Sequence, residues 1–266
     1  RGGINPADGI YWVSSTIGDN THHLWAYNTL TGQNYGYVGY LTGSAQAGGP
    51  TGGNGDLVFD QDGNMLFVSS TETAGQLFRI EDLSAALVGA PRANATSIDG
   101  YVTKAKLADL STSGQFNGVT FDNDGYLYVS YSSGDYSMIQ KLDPNTGAAA
   151  GAPLRVTGLN QPTTTWTQRS VVDLADCNDP GGLRLRKDYP DGRVAPQDNV
   201  RLEIRKNGIS GALVGGSATT AGPATGLQNA SAGVIIGVPG GTYVLTETAT
   251  SGQLADYATS LACVDK

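Results

Sequence analysis

The chain has few of the residue types that build redox, metal and catalytic sites. Its 266 residues include two cysteines, two histidines and two methionines, and only 15% of them are charged. The histidines are the neighbours His22 and His23, which on a strand point to opposite faces and cannot jointly hold a metal ion. No catalytic triad context, nucleophile elbow or phosphate-binding loop is recognisable. We therefore predict no metal, no cofactor and no enzymatic activity.

Long hydrophobic runs and helical periodicity are missing too. No apolar stretch approaches the roughly 20 residues that span a bilayer. Apolar residues never follow a helical period for more than a turn or two, and the best short helix candidate, residues 83–88, could equally be a loop. With 38 glycines in addition, the sequence predicts an all-β protein whose length suits two domains.

A repeated hairpin is the main feature that is present. Residues 55–70 read GDLVFDQDGNMLFVSS, residues 117–131 read NGVTFDNDGYLYVSY, and residues 4–15 are a weaker copy, INPADGIYWVSS. Each copy is typical of a strand, an Asp-Gly turn and a second strand. A third strand is predicted after each hairpin, at residues 23–28, 76–80 and 138–142, and insertions are predicted at 41–54 and 85–100.

Repeats of this kind stack as the blades of a β-propeller, and a closed propeller typically needs at least four blades. Residues 1–176 are therefore predicted to form part of a propeller. The chain also starts at Arg1, close to the first turn. We expect an N-terminal fragment of the same precursor to remain bound without a covalent link and to complete the propeller. The alternative is a chain that was shortened artificially.

The two Asp-x-Asp-Gly turns resemble the start of a calcium-binding loop. A calcium loop of the EF-hand type needs a glutamate at its twelfth position, where this chain has Thr71 and Ser133. The flanking segments are also predicted to be strands and not helices. We interpret both motifs as hairpin turns.

A different alternation begins after a linker at residues 179–182. Five short strands with Gly, Pro or Asn turns between them are predicted at 183–187, 200–205, 233–237, 242–247 and 260–264. Segments of this kind over residues 177–266 predict a small β-sandwich.

Basic residues are concentrated in this second domain. The net charge is −9 over residues 1–182 and +1 over residues 183–266, so the acidic chain as a whole does not suit nucleic acid. If strands 183–187 and 200–205 pair, Arg184, Arg186, Arg201 and Arg205 form one exposed stripe. Arginine binds sulfate and phosphate groups well. The alternative is a solvated strand face that nearby aspartates balance. The candidate ligand-binding residues are Arg184, Arg186, Lys187, Arg193, Arg201, Arg205 and Lys206.

Two stretches carry a family resemblance. Residues 183–188, LRLRKD, and 241–248, GTYVLTET, resemble strands of the prealbumin-like domains of Gram-positive pilins and adhesins. The upstream repeats resemble the propeller of exported actinobacterial surface proteins, and the combination is similar to dermatan-sulfate adhesins of skin actinobacteria.

The resemblance implies an extracellular or cell-wall-anchored adhesin head that binds a glycan or a protein of host extracellular matrix, with a sulfated glycosaminoglycan such as dermatan sulfate as the candidate ligand. The two candidate contact surfaces are the exposed aromatics and wide loops of the propeller and the basic face of the sandwich. An extracellular propeller enzyme of the lactonase or lyase type and a structural stalk segment are the alternatives.

The resemblance also implies a covalent tie within the second domain. In many prealbumin-like domains a lysine of the first strand bonds to an Asn or Asp of the last strand, and a glutamate assists. Lys187 and Glu247 match two of these roles, but the last strand offers only Asp265, so we predict that this isopeptide bond is absent. Two cysteines fit one disulfide in an exported protein, and we predict a Cys177–Cys263 bond. The alternative is two free thiols.

Overall fold

The computed structural model describes residues 2–16, 21–42, 54–70, 75–93, 96–110, 115–133, 136–156, 174, 180–238 and 241–263. The described residues are mostly strands, so the predicted all-β class is confirmed. The chain divides into two compact units, residues 1–181 and 182–266, whereas the sequence predicted a boundary between residues 176 and 177.

The first unit contains three four-stranded antiparallel sheets, in each of which the strands pair in chain order. The first sheet consists of β1 (Gly2–Asn5), β2 (Ile10–Thr16), β3 (His22–Asn28) and β4 (Asn34–Leu41). The second consists of β5 (Asn54–Phe59), β6 (Met65–Ser70), β7 (Gly75–Glu81) and β8 (Thr103–Leu110). The third consists of β9 (Phe116–Phe121), β10 (Leu127–Ser133), β11 (Tyr136–Leu142) and β12 (Leu154–Arg155). A short helix, α1 (Leu83–Ala86), lies between β7 and β8.

The first two strands of each sheet are the hairpins that the repeat predicted. The turn glycines Gly9, Gly63 and Gly125 have φ of 70°, 83° and 75°, in the left-handed region that favours glycine. Asp60 Oδ1 accepts the Asn64 N–H at 2.9 Å, and Asp122 Oδ1 accepts the Tyr126 N–H at 2.8 Å. These carboxylates therefore close the turns.

The fourth strands β4, β8 and β12 were not predicted. The predicted insertion at 85–100 includes the end of α1 and the turns that lead into β8, and part of it lies outside the described residues. Most of the other predicted insertion, 43–53 within 41–54, also lies outside them.

The three sheets pack face to face in chain order. Trp12 and Leu24 of the first sheet share a buried core with Phe59 and Phe67 of the second, and Leu83 of α1 closes this core. Between the second and third sheets, a carboxylate oxygen of β5 accepts a backbone N–H of β9 at 3.0 Å. The first strands β1, β5 and β9 consequently lie next to one another.

The second unit consists of two sheets that enclose an apolar core. One sheet contains β13 (Gly182–Tyr189) and β16 (Gly226–Ile236), and the other contains β15 (Leu213–Thr219), β14 (Asn199–Lys206) and β17 (Tyr243–Ser251). Leu202 and Ile204 of β14 are buried in this core, and Leu183 and Leu185 of β13 pack against it. A short 3-10 helix follows at Leu254–Asp256.

The condition for one continuous basic stripe is not met in this unit, and one predicted strand is absent. β13 pairs with β16, and β14 pairs with β15 and β17, so strands 183–187 and 200–205 do not pair. Alternation predicts which side chains face the core, but it does not determine which strand is the neighbour. In addition, β15 was not predicted, and residues 258–263 form no strand.

Candidate functional site

The predicted basic stripe is divided between the two sheets of the second unit. Arg184 and Arg186 lie on β13, whereas Arg201 and Arg205 lie on β14 in the other sheet. Because each pair points away from the shared core, the structure places the pairs on the outer faces of different sheets. The four arginines therefore form two separate groups.

The β14 arginines are largely paired with a glutamate of their own strand. Arg201 Nη2 lies 2.9 Å from Glu203 Oε1, and Arg205 Nη2 lies 2.6 Å from Glu203 Oε2. Arg205 Nη1 also donates to the Gly211 carbonyl oxygen at 3.0 Å. This group is less available to an external anion than the sequence suggested. Lys206 lies at the end of the same strand.

The guanidinium group of Arg193 contacts several segments of the second unit. Its guanidinium lies 4.1 Å from the centre of the Tyr189 ring. Its Nη2 donates to Gln228 Oε1 at 2.8 Å, and its Nη1 donates to Asn199 Oδ1 at 3.0 Å. With these bonds in place, Arg193 connects three segments of the unit and is not a free ligand-binding group.

Arg184 and Arg186 are the most available cations of the predicted set. Both are exposed on the outer face of β13. Arg186 uses its Nε to donate to the Gln228 carbonyl oxygen at 2.8 Å, which leaves its two terminal nitrogens for another acceptor. Arg184 makes no side-chain hydrogen bond or ion pair with any residue that the structure describes. Two arginines spaced two residues apart on one face can approach a single polyanion together.

Lys187 points in the opposite direction, toward the core. Its Nζ lies 2.7 Å from Glu247 Oε1 on β17, and the two side chains are 14% and 21% exposed. The pair spans the two sheets, which brings together the two residues that the resemblance assigned to an isopeptide bond. Asp265 lies outside the described residues. The absence of that bond stays a prediction.

The predicted disulfide receives no support from the structure. Cys263 is exposed and forms no disulfide with any residue that the structure describes. Cys177 lies outside the described residues. The Cys177–Cys263 bond stays a prediction.

A carboxylate network organises the loop before β14. Asp198 Oδ2 accepts the Tyr257 hydroxyl at 2.5 Å and the Ala195 N–H at 2.9 Å. The hydrogen bond from Tyr257 is the main reason that the pKa of Asp198 is lowered from its usual 3.8. Tyr257 Oη in turn accepts the Val194 N–H at 2.9 Å. The network fixes residues 194–198, which directly follow Arg193.

In the part of the chain that the structure describes, no three His, Cys, Asp or Glu side chains come together as a metal site would require. Within the same residues, no helix has the length and apolar character needed to cross a membrane.

The first unit has an aromatic sheet face whose residues were not singled out in the sequence. Tyr11 and Val13 of β2 lie opposite Tyr27 and Trp25 of β3, and Ile4 of β1 lies opposite Tyr11. We call these five residues the open face, because all are at least partly exposed. A usable signal was present: in the first copy of the repeat, Tyr11 and Val13 alternate with the buried core residue Trp12.

Comparison with known proteins gives an assignment for the second unit. Residues 182–266 match the family described as a prealbumin-like fold domain, and this span coincides with the second unit. We found no curated protein and no solved structure that matches the chain. The expected prealbumin-like part of the resemblance is confirmed: the second unit is similar to prealbumin-like fold domains.

Proposed function

We propose that the protein is the ligand-presenting head of a bacterial cell-surface adhesin, exposed outside the cell, that binds a sulfated glycosaminoglycan of host extracellular matrix such as dermatan sulfate. The observation that carries this proposal is the match of residues 182–266 to a prealbumin-like fold domain, a type of domain that is typical of surface and pilin proteins. No reaction is assigned to the chain, and we propose a binding role only.

The first unit supports the proposal as a partial β-propeller. Three successive four-stranded antiparallel sheets pack face to face, and their first strands lie side by side. Propeller blades have this strand number and this pairing order. In this interpretation the three sheets are consecutive blades.

The binding residues that we propose are Arg184 and Arg186. Both are exposed on one strand face, and both retain guanidinium nitrogens that no described residue occupies. Guanidinium groups form bidentate, charge-assisted hydrogen bonds with sulfate oxygens. The other five residues of the predicted set are paired, partly buried or further from this face.

Two matched double variants test this assignment. Arg184→Ser with Arg186→Ser removes the proposed site, and Arg201→Ser with Arg205→Ser removes the same charge from the other sheet. We expect the first to weaken binding to immobilised dermatan sulfate at least about tenfold, equivalent to about 1.4 kcal/mol, and the second to change it by less than about twofold. Hyaluronan, which carries no sulfate, serves as the ligand control.

Salt provides an independent measurement. Contacts between exposed charges weaken as the ionic strength rises. We expect the wild-type affinity to fall steeply between low and physiological salt, and the Arg184→Ser, Arg186→Ser variant to lose most of this dependence. Unchanged binding by that variant, at an unchanged melting temperature, would remove β13 from consideration as the binding surface.

A further inference from the structure

The internal repeat allows the same position to be compared in three sheets. We align the three sheets on their turn glycines and on the strand pairing. In each sheet, one row of side chains then crosses the first three strands at equivalent positions. The rows are Ile4, Tyr11 and Tyr27 in the first sheet, Phe59, Met65 and Ile80 in the second, and Phe121, Leu127 and Leu142 in the third.

These equivalent rows differ sharply in exposure. In the second and third sheets every member is at most 3% exposed, because the preceding sheet of the stack covers that face. In the first sheet the members are between 38% and 55% exposed. The residues keep their large apolar or aromatic character in all three sheets. Among the described residues, no sheet covers this face of the first sheet.

The composition of the open face suits burial. Its five residues are aliphatic or aromatic, and none carries a charge. Trp25 is also held in place, since its ring centre lies 5.4 Å from that of Tyr37 and 6.3 Å from that of His23. A preformed flat apolar surface loses little side-chain freedom when another surface covers it, and contiguous exposed apolar surface commonly marks an interaction site.

The opposite end of the stack shows the same kind of difference. Arg79 and Asp60 of the second sheet form an ion pair with 3.1 Å between Nη2 and Oδ2, and their side chains are 6% and 0% exposed. The equivalent pair of the third sheet, Lys141 and Asp122, has the same 3.1 Å separation but is 26% and 25% exposed. The first pair belongs to the middle sheet, and the second pair belongs to the third sheet at the end of the described stack.

We propose that the open face is the docking surface for a further four-stranded antiparallel sheet of the same repeat, carried by a companion polypeptide. In the interface between the first and second sheets, Trp12 and Leu24 are the apolar residues that the first sheet contributes. The further sheet would contribute apolar side chains at the equivalent positions of its own strands. In the second and third sheets this same face is buried under the preceding sheet, so a further sheet on the open face would continue the stack. The inference rests on the propeller part of the proposed function and does not depend on the glycan.

Photo-cross-linking in the cells that naturally produce the protein tests the proposal. Tyr27 is replaced by p-benzoylphenylalanine, and the control has the same replacement at Tyr101, which is 46% exposed and lies outside the open face. After irradiation, the peptide joined to the probe is sequenced by mass spectrometry. We expect Tyr27, and not Tyr101, to be joined to a peptide with an Asp-Gly turn between two alternating apolar strands.

Three other results would overturn the proposal. A cross-link to a second copy of this chain would identify the face as a homodimer interface. A cross-link to a peptide without the repeat pattern would identify a different kind of partner. The absence of any cross-link at Tyr27 would show that the face is uncovered. Because these residues lie in the first unit, none of the outcomes depends on whether Arg184 and Arg186 bind a glycan.

A second measurement uses the purified complex. Tyr11→Lys with Tyr27→Lys places two charges on the open face, and we expect the companion to be lost on size exclusion. Leu30→Lys is the control, because Leu30 is exposed in the turn after β3. Retention of the companion by the double variant would contradict the assignment of this face.

Discussion

Asp60 and Arg79 form a buried ion pair in the first unit. Asp60 accepts hydrogen bonds from the side chain of Asn64 and pairs with Arg79, whose Nε also lies 3.3 Å from Glu81 Oε1. Burial raises the pKa of Asp60, and the hydrogen bonds from Asn64 and the charge of Arg79 oppose this rise. Arg79 therefore offsets part of the cost of burying the carboxylate.

Arg79→Met is expected to destabilise the first unit by about 3 kcal/mol at neutral pH, because it leaves Asp60 buried without its cation. The variant raises the pKa of Asp60 further, so its stability falls as the pH rises through that pKa. The loss should consequently be small in acid, where Asp60 is protonated. Urea denaturation at several pH values measures both effects.

The control is Lys106→Met, which breaks the exposed pair of Lys106 and Asp109. An exposed pair contributes less than about 1 kcal/mol. If both variants lose the same free energy of unfolding, burial does not increase the contribution of the pair of Asp60 and Arg79 to stability.

Tyr257→Phe tests the acid dependence of the second unit. In the wild type, the hydrogen bond from Tyr257 lowers the pKa of Asp198 below its usual 3.8. The resulting stability is fully present above pH 3.8 and is lost as the pH falls through the lowered pKa. We therefore expect the variant to melt at a lower temperature than the wild type above pH 4, and the difference to shrink in stronger acid.

Tyr243→Phe is the matched control in the same unit. The Tyr243 hydroxyl oxygen accepts the Val238 N–H at 3.1 Å and bonds to no carboxylate that the structure describes. Its removal should lower the melting temperature by an amount that does not change with pH in this range. A constant difference for Tyr257→Phe would contradict the assigned role of its hydroxyl.

At the scale of elements, the repeated turn combines two separate requirements at Gly63. Its φ of 83° favours glycine, and a Cβ at this position would lie 2.8 Å from Asn5 Oδ1. Asn5 belongs to the first sheet, so the turn of the second sheet packs closely against its neighbour. Gly89 has a similar φ of 80°, but nothing lies within 4 Å of its Cβ position.

The pair Gly63→Ala and Gly89→Ala separates these requirements. Gly89→Ala should cost about 1 kcal/mol, the usual penalty of a left-handed conformation for alanine. Gly63→Ala should cost at least about 1 kcal/mol more, because overpacking adds to the same penalty. Chemical denaturation of both variants measures the difference, and equal losses would show that the two sheets are loosely packed at this turn.

Local signals explain which elements could be predicted. Each hairpin has an Asp-Gly turn and two alternating strands, and these features depend on residues close together in the sequence. The fourth strand β8 pairs with β7 across a long connection that contains α1. The strand β4 follows a short turn at residues 29–33, but it contains Gly36 and Gly39, and glycine weakens the signal for a strand. The partners of β13 and β14 are also far along the chain. Alternation assigned Leu183 and Leu202 to the core side, and it could not select the neighbouring strand.

At the scale of the whole molecule, intact-mass measurement tests the predicted covalent ties. A Cys177–Cys263 disulfide predicts that the native, unreduced protein takes up no alkylating reagent and takes up two equivalents after reduction and unfolding. An isopeptide bond at Lys187 would release one water and lower the intact mass by about 18 Da. Because we predict no such bond, we expect the measured mass to show no such decrease. If both cysteines are alkylated in the unfolded protein before any reduction, the predicted disulfide is contradicted.

The candidate site was predictable only in part, because it depends on the arrangement of whole sheets. The sequence located the basic residues and their outward direction, but the division of Arg184 and Arg201 between two sheets follows from long-range pairing. The open face was harder to foresee. Its significance depends on comparing Tyr27 with Ile80 and Leu142, and these become equivalent only when the register of each sheet is known.

The ion pair between Lys187 and Glu247 has a mechanical consequence. The second unit begins with β13 and its last strand is β17, and these strands lie in different sheets. Tension applied between residues 182 and 251 therefore pulls one sheet past the other instead of opening a single ladder of backbone hydrogen bonds. The apolar core, the hydrogen bonds of Arg193 with Asn199 and Gln228, and this charged bridge carry that load. The force needed to separate the sheets should therefore fall when Lys187 loses its charge.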